Sequence, residues 1–317
     1  MNPKSKRNSF DKKQLIWLGV SLIALYVIVP QFGNLSHSWH RLTYPDWYFV
    51  GLSALAIAGT FVVSSLTYVA LSVKRLKVLE VMLVQIANAF VNRLLPAGIG
   101  GIGTNIQYLR HKKYSAATAA SIVATNNLLG VGAHMGIFFA AILLIHNSSL
   151  LPKIHIHFSV WFLYILGAII TIGLATLIIL LLRNMQRIKL GFSHYVHQTK
   201  FLVKPARLAV ALACQMALTF VDVSALYFSL KAVGIHLSFV DALIVFTFGA
   251  VVRNFTPTPG GIGGIEAGLI AALVAYKVSA TEALAAVLLY RLISYWIPLV
   301  IGAVGFFFVS RKGLLES

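Results

Sequence analysis

The chain has 317 residues, 59% hydrophobic and only 11% charged, with a mean hydropathy of +0.85, more apolar surface than a soluble domain can bury. Its net charge of +18 comes from 26 Lys and Arg against 8 Asp and Glu, but no segment between the apolar runs is long enough to form a basic nucleic-acid-binding domain. The single cysteine, Cys214, lies inside an apolar run, so disulfides play no part.

Residues 1–13 are polar and basic, with Lys4, Lys6, Arg7, Lys12 and Lys13, and are expected in the cytoplasm. Residues 14–32 are long enough to span, and no small-residue cleavage site follows closely, so they read as a start-transfer helix. After an outer loop with His37, His40 and Arg41, residues 46–73 return inward and stop at Lys74-Arg75-Leu76-Lys77. Residues 79–95 enter the membrane and break at Pro96 to Gly103. Only about seven residues then precede the basic cluster Arg110-His111-Lys112-Lys113, too few at roughly 1.5 Å each to cross a core of about 30 Å. The segment is therefore expected to be a re-entrant hairpin open to the cytoplasm.

Residues 115–146 cross outward, with a bend or tilt expected near Gly130 and Gly132 because the run exceeds a span's length. An outer loop, 147–157, leads to a span at 158–182 that ends at Arg183, Arg187 and Lys189. The connector with Lys200, Lys204 and Arg207 reads as an interfacial helix. Residues 206–230 cross outward, 238–255 re-enter and break at 257–264, and 265–276 run back to Lys277 outside. The last span, 280–309, passes Pro298 and ends at Arg311-Lys312. This placement puts nineteen of the 26 basic residues in the cytoplasm, four outside and three within the membrane.

The fold expected is an all-α polytopic membrane protein with six full spans and two re-entrant helical hairpins. One integral membrane domain, 14–309, would contain repeat A (about 14–146) and repeat B (about 158–309) in opposite orientation, followed by a cytoplasmic tail, 310–317. The two breaks support this reading directly. Pro96-Ala97-Gly98-Ile99-Gly100-Gly101-Ile102-Gly103 matches Pro259-Gly260-Gly261-Ile262-Gly263-Gly264-Ile265-Glu266 without a gap, six of eight positions being identical. Prolines remove backbone donors and glycines admit left-handed turns, and such backbone is tolerated at membrane depth only against protein or a water-filled cavity. Paired interruptions in corresponding halves point to a transporter-like substrate site.

The stretch Thr256-Pro257-Thr258-Pro259-Gly260-Gly261-Ile262-Gly263-Gly264-Ile265-Glu266-Ala267, with Tyr290-Arg291-Leu292 in the segment Glu282 to Pro298, closely resembles the lysylphosphatidylglycerol synthase transmembrane region. This is the flippase-like domain of multiple-peptide-resistance proteins. The resemblance covers nearly the whole chain and implies movement of a lipid between leaflets, notably aminoacylated phosphatidylglycerol. Relatives that accompany glycosyltransferases and lipid-linked sugar pathways leave the lipid open. Where relatives carry a Glu soon after the first glycines, this chain has Gly103-Thr104-Asn105-Ile106-Gln107, and a further acidic position is taken by Asn126-Asn127. The aminoacyltransferase domain of fused relatives has no counterpart in the sequence, so a lysyltransferase activity does not carry over.

The intramembrane ionisable groups are Arg93, Asp222, Arg253, Glu266 and Arg291, each costly in hydrocarbon at about 2.5–3.5 kcal/mol on insertion scales. Three cations against two carboxylates suit an anionic headgroup, and arginine forks bind phosphate oxygens bidentately. Gly263 and Gly264 would bare backbone N–H groups at a helix start, where an anion is favoured. The candidate substrate-binding and gating set is therefore Arg93, Pro96, Gly100, Gly101, Asp222, Arg253, Pro257, Pro259, Gly260, Gly261, Gly263, Gly264, Glu266 and Arg291. Glu266 could lock structure by pairing with Arg253 or Arg291, touch the lipid, hold an arginine for which the lipid phosphate competes, or carry a coupling proton. Asp222 is expected to partner an arginine. Asn88, Asn92, Asn105, Asn126, Asn127 and Asn254 are polar enough to line a substrate path, but most of them fit interhelical hydrogen bonding better.

Gly98-Ile99-Gly100-Gly101-Ile102-Gly103 has dinucleotide-motif spacing but follows a membrane helix rather than a strand, and the outer histidines His37, His40, His146, His155, His157 and His236 lack supporting cysteines or carboxylates. Asn254-Phe255-Thr256 fits a glycosylation sequon but lies too deep to be an acceptor. No cofactor or metal is expected. The expected function is a plasma-membrane, flippase-like lipid transporter with both termini cytoplasmic, its partner a phospholipid or lipid-linked (polyprenyl-type) substrate. The rivals are an accessory subunit of a lipid glycosyltransferase or aminoacyl-lipid transferase, and a channel or small-solute transporter.

Overall fold

The computed structural model describes residues 44–94, 99–146, 204–256 and 258–315, and every regular element in them is helical. The predicted spans at 14–32 and 158–182, the outer loop at 147–157, Pro96 and Pro257 lie outside the described residues. The other four predicted spans coincide with four helices long and apolar enough to cross a membrane, Trp47–Leu71, Ala116–Ala140, Pro205–Ala232 and Ala280–Arg311.

Helix α1 (Trp47–Leu71) starts where Asp46 accepts from the Tyr48 N–H at 2.9 Å, filling a donor that a helix start leaves orphaned. It is apolar nearly all round, with Leu55 68% and Val62 42% exposed, as a lipid-facing helix should be. Its polar residues mark the seam with α5 (Pro205–Ala232). The Ser53 hydroxyl donates to the Ala225 carbonyl at 2.8 Å and meets Ser229 Oγ at 2.9 Å. Asp46 N–H donates to Ala232, and Gly59 packs on Val221, so the two helices run antiparallel. In lipid, packing of small residues and interhelical hydrogen bonds replace the hydrophobic drive between helices.

Helices α2 (Val78–Leu94) and α3 (Ile99–His111) also fold back on each other. Glu80 pairs with Lys112 at 2.6 Å, Gln85 Nε2 donates to Asn105 Oδ1 at 2.8 Å, and Gly100 lies against Val91. These contacts descend one helix as they climb the other. A Cβ at Gly100 would lie 2.5 Å from the Val91 carbonyl oxygen, so the close approach requires glycine. Helix α4 (Ala116–His146) is continuous through Gly130 and Gly132. Gly130 makes room for Gln215, whose amide donates to Asn126 Oδ1 at 2.9 Å.

The second folded-back pair is α6 (Phe239–Phe255) and α7 (Gly264–Ala275), joined through a 3-10 turn at Pro259–Gly261. Ser238 and Asp241 form a reciprocal capping box at the start of α6. Gly249 lies against Leu269, Val252 against Gly268 and Thr256 against Gly264, again an antiparallel register. Helix α8 (Ala280–Arg291), a π turn (Leu292–Trp296) and α9 (Ile297–Arg311) continue as one rod. Two apolar cores result. One joins α1, α5, α6, α7 and α8 through residues such as Leu226, Leu230, Leu269 and Val287; the other joins α1, α2, α3, α4 and α9 through Leu71, Val84, Leu109 and Ile122. Each folded-back pair belongs to one core.

Candidate functional site

Pro298 explains the π turn. It has no N–H to give to the carbonyl four residues back, and its ring would crowd that carbonyl. The chain widens by one residue, Ile297 N–H bonding Leu292 O, and the Ser294 carbonyl is left without a helical donor. Arg93, from the last turn of α2, takes it: Nη2 donates to Ser294 O at 2.7 Å while Nη1 donates to Ala89 O in its own helix. A break in one helix thus anchors an arginine from another.

On the other side, Gly260 and Gly261 adopt φ of 62° and 69°, and Gly263 adopts 87°, all in the left-handed region. Thr258 closes the turn by donating its hydroxyl to the Ile262 carbonyl at 2.7 Å. Glu266 in the first turn of α7 then does two things. Its Oε2 accepts from the Gly263 N–H at 2.7 Å, and its Oε1 accepts from Arg291 Nε at 2.6 Å. The pair is largely enclosed, with side-chain exposures of 8% for Arg291 and 15% for Glu266. Such short charge-assisted bonds are roughly twice as strong as neutral ones.

Tyr295 joins the two sides. Its ring lies 4.4 Å from the Arg291 guanidinium and 5.3 Å from that of Arg93, and it fills the space that a Cβ at Gly260 would need. Arg93 Nε and Arg291 Nη2 are buried donors without a hydrogen-bond partner among the described residues. Two guanidinium groups with one carboxylate leave the cluster formally positive by one charge.

Several expectations change. Of the two partners considered for Glu266, the structure selects Arg291. The Gly263 N–H is not bare for a ligand, because Glu266 occupies that anion position itself. Arg253 is exposed and Arg93 half-buried, so the two do not play matching parts; the Arg253 stem instead packs beside Gly261. Asp222 is half-buried on α5 and pairs with no arginine among the described residues; Arg253 and Arg93 are its nearest cationic influences. Gly264 lies so close to the Thr256 side chain that a Cβ would overlap it. Pro259 opens the 3-10 turn.

At the first break, Gly101 packs on the Asn88 amide and its N–H points to Asn92 Oδ1 at 3.4 Å. Asn105, where relatives were expected to carry an acid, accepts from Gln85 and donates to the Gly101 carbonyl at 2.8 Å. Beside its break the first pair is held by neutral amides, whereas Glu266 beside the second break is tied to α8 by an ion pair. Sequence reasoning missed Tyr295 and the Ser294 carbonyl. The signals were present: an aromatic four residues after Arg291 shares its helix face, and a proline four residues after Ser294 frees that carbonyl.

The family model for the lysylphosphatidylglycerol synthase TM region matches residues 16–302. Inner membrane protein YbhN of Escherichia coli is 26% identical over 98% of this chain and 96% of its own length. UPF0104 membrane protein MJ1078 of Methanocaldococcus jannaschii is 22% identical over 72% of this chain and 97% of its own. UPF0104 membrane protein PH1989 of Pyrococcus horikoshii is 32% identical over a shorter stretch, 30% of this chain. With its apolar helices, its two broken helix pairs and a match over most of its length, the chain belongs to the lysylphosphatidylglycerol synthase transmembrane region family of membrane proteins.

Proposed function

We propose that this protein is a flippase-type lipid transporter of the plasma membrane that moves an anionic or headgroup-modified lipid, polyprenyl-linked lipids included, between leaflets. One observation carries the reading: Arg93 and Arg291, the latter paired with Glu266, meet at the Tyr295 ring where two broken helix pairs converge inside an apolar bundle. Charges at such depth persist when they serve a substrate path. In this reading the chain has six spans, the folded-back pairs are re-entrant hairpins of opposite orientation, and both termini are cytoplasmic. The headgroup enters sideways and lodges its phosphate at the arginines. Glu266 acts as the resident anion with which that phosphate exchanges. Transport runs downhill or on an ion gradient, the protein catalyses no group transfer, and a lipid-modifying transferase supplies or receives its cargo.

The test is reconstitution of the purified full chain in liposomes with trace fluorescent phosphatidylglycerol or phosphatidylcholine, followed by dithionite quenching. Loss of the protected fraction, faster for the anionic lipid than in empty liposomes, is the expected result. Protected fractions that stay constant for those lipids and for a fluorescent polyprenyl phosphate would sink the proposal.

A further inference from the structure

We propose that Tyr295 is the positioning residue that sets the headgroup preference of this site, by holding Arg93 of the first broken pair and Arg291 of α8, the partner of Glu266 in the second, against one ring so that both address a single phosphate-bearing headgroup of net negative charge. This rests on the lipid-transport reading above and adds to it the element that makes the site selective.

The ring is 5% exposed, so it does not bind lipid tails or water. A buried ring used only for packing would be surrounded by apolar side chains. This one has two guanidinium groups within 5.3 Å of its centroid, against one carboxylate. Like charges gathered at a low-dielectric site repel unless something holds them, and the ring's negative face does so without itself carrying charge. A carboxylate in the same place would neutralise the cluster and leave nothing for a ligand. The phenyl face therefore keeps both arginines in position while preserving the surplus positive charge.

The surroundings fit this role. Gly260, in its left-handed turn, leaves the volume that the ring fills, so the second break is shaped around Tyr295. The π turn that carries Tyr295 also presents the Ser294 carbonyl to Arg93. Among the described residues Arg93 and Arg291 each retain one buried N–H donor without a partner, and buried donors of charged groups call for acceptors. The acceptor class that matches two guanidinium donors is a phosphate oxygen pair.

The experiment compares wild type with Tyr295→Phe and Tyr295→Leu, with Tyr295→Met replacing Leu should that variant not accumulate as folded protein. Two quantities are read for each: the ratio of phosphatidylglycerol to phosphatidylcholine transport rates in liposomes, and the ratio of their binding to the detergent-purified chain, measured as thermal stabilisation. Phe should keep both ratios within about twofold of wild type, and Leu or Met should lower them by about tenfold, the scale of losing desolvated cation–π contacts. Ratios unchanged in the aliphatic variant, ratios that fall equally in Phe, or a wild type that binds both lipids alike would each overturn the proposal. A wild type that prefers phosphatidylglycerol in detergent yet moves neither lipid would refute the transport reading alone.

Discussion

Replacing Glu266 by Gln tests the centre of the site with a change of few atoms. The carboxylate now accepts at both oxygens, from Arg291 Nε at 2.6 Å and from the Gly263 N–H at 2.7 Å. A glutamine has one acceptor oxygen, so whichever way its amide faces, its NH2 opposes one of those donors. The lost charge-assisted bond costs about 1.5–3 kcal/mol. The unpaired Arg291 adds to this, toward the 3–5 kcal/mol typical of breaking a buried pair, reduced here because neither side chain is wholly enclosed. We predict a total of roughly 2–4 kcal/mol, with the helical fold retained and lipid transport lost. The assay is a double-mutant cycle with Arg291→Ala, read by denaturant unfolding in detergent together with the liposome assay. A coupling energy of about 1–3 kcal/mol is expected. Coupling below about 0.5 kcal/mol would show that the pair contributes no more than an exposed ion pair, and the reasoning would fail.

The glycines give a sharper contrast. Gly100→Ala should destabilise by about 1–3 kcal/mol, because its Cβ meets a backbone carbonyl that has no rotamer to yield. Gly132→Ala, with open space around it in mid-helix, should instead stabilise by about 0.5–1 kcal/mol; thermal unfolding of the two variants distinguishes them. Pro298→Ala restores a donor for the Ser294 carbonyl and should draw that oxygen back into the helix, weakening the hold on Arg93. A fall in transport without a fall in melting temperature is the expected signature. Glu80→Gln, at the partly exposed Lys112 pair, should cost at most about 1 kcal/mol, and the cost should shrink as salt rises.

Much of the helical framework was legible because hydropathy and proline–glycine chemistry act locally. The four described spans and the two interruptions follow from runs of apolar residues and from Pro96, Pro259 and the glycines beside them. Which cation pairs with Glu266 was not legible. Arg253 and Arg291 lie on either side of it along the chain, and only the three-dimensional packing of α8 against α7 decides between them. Asp222 shows the limit in the other direction: counting charges suggested a partner, but on α5 it feels Arg253 and Arg93 without forming an ion pair with either. Tyr295 escaped notice because an aromatic in an apolar helix reads as core until its neighbours prove to be cations.

The anchoring of Arg93 has an electrical consequence. Two backbone carbonyls and a ring hold it, and none of these cancels its charge. Glu266 and Arg291 move as a neutral couple, indifferent to voltage so long as they stay together. The tip of the first helix pair keeps the charge of Arg93 with no ion-pair partner among the described residues, so a membrane potential acts on that tip. A full traverse at 100 mV is worth about 2.3 kcal/mol, and a shift through a tenth of the field about 0.2 kcal/mol. Cell polarity thus acts on the anchorage of Arg93 while it leaves the Glu266–Arg291 couple balanced.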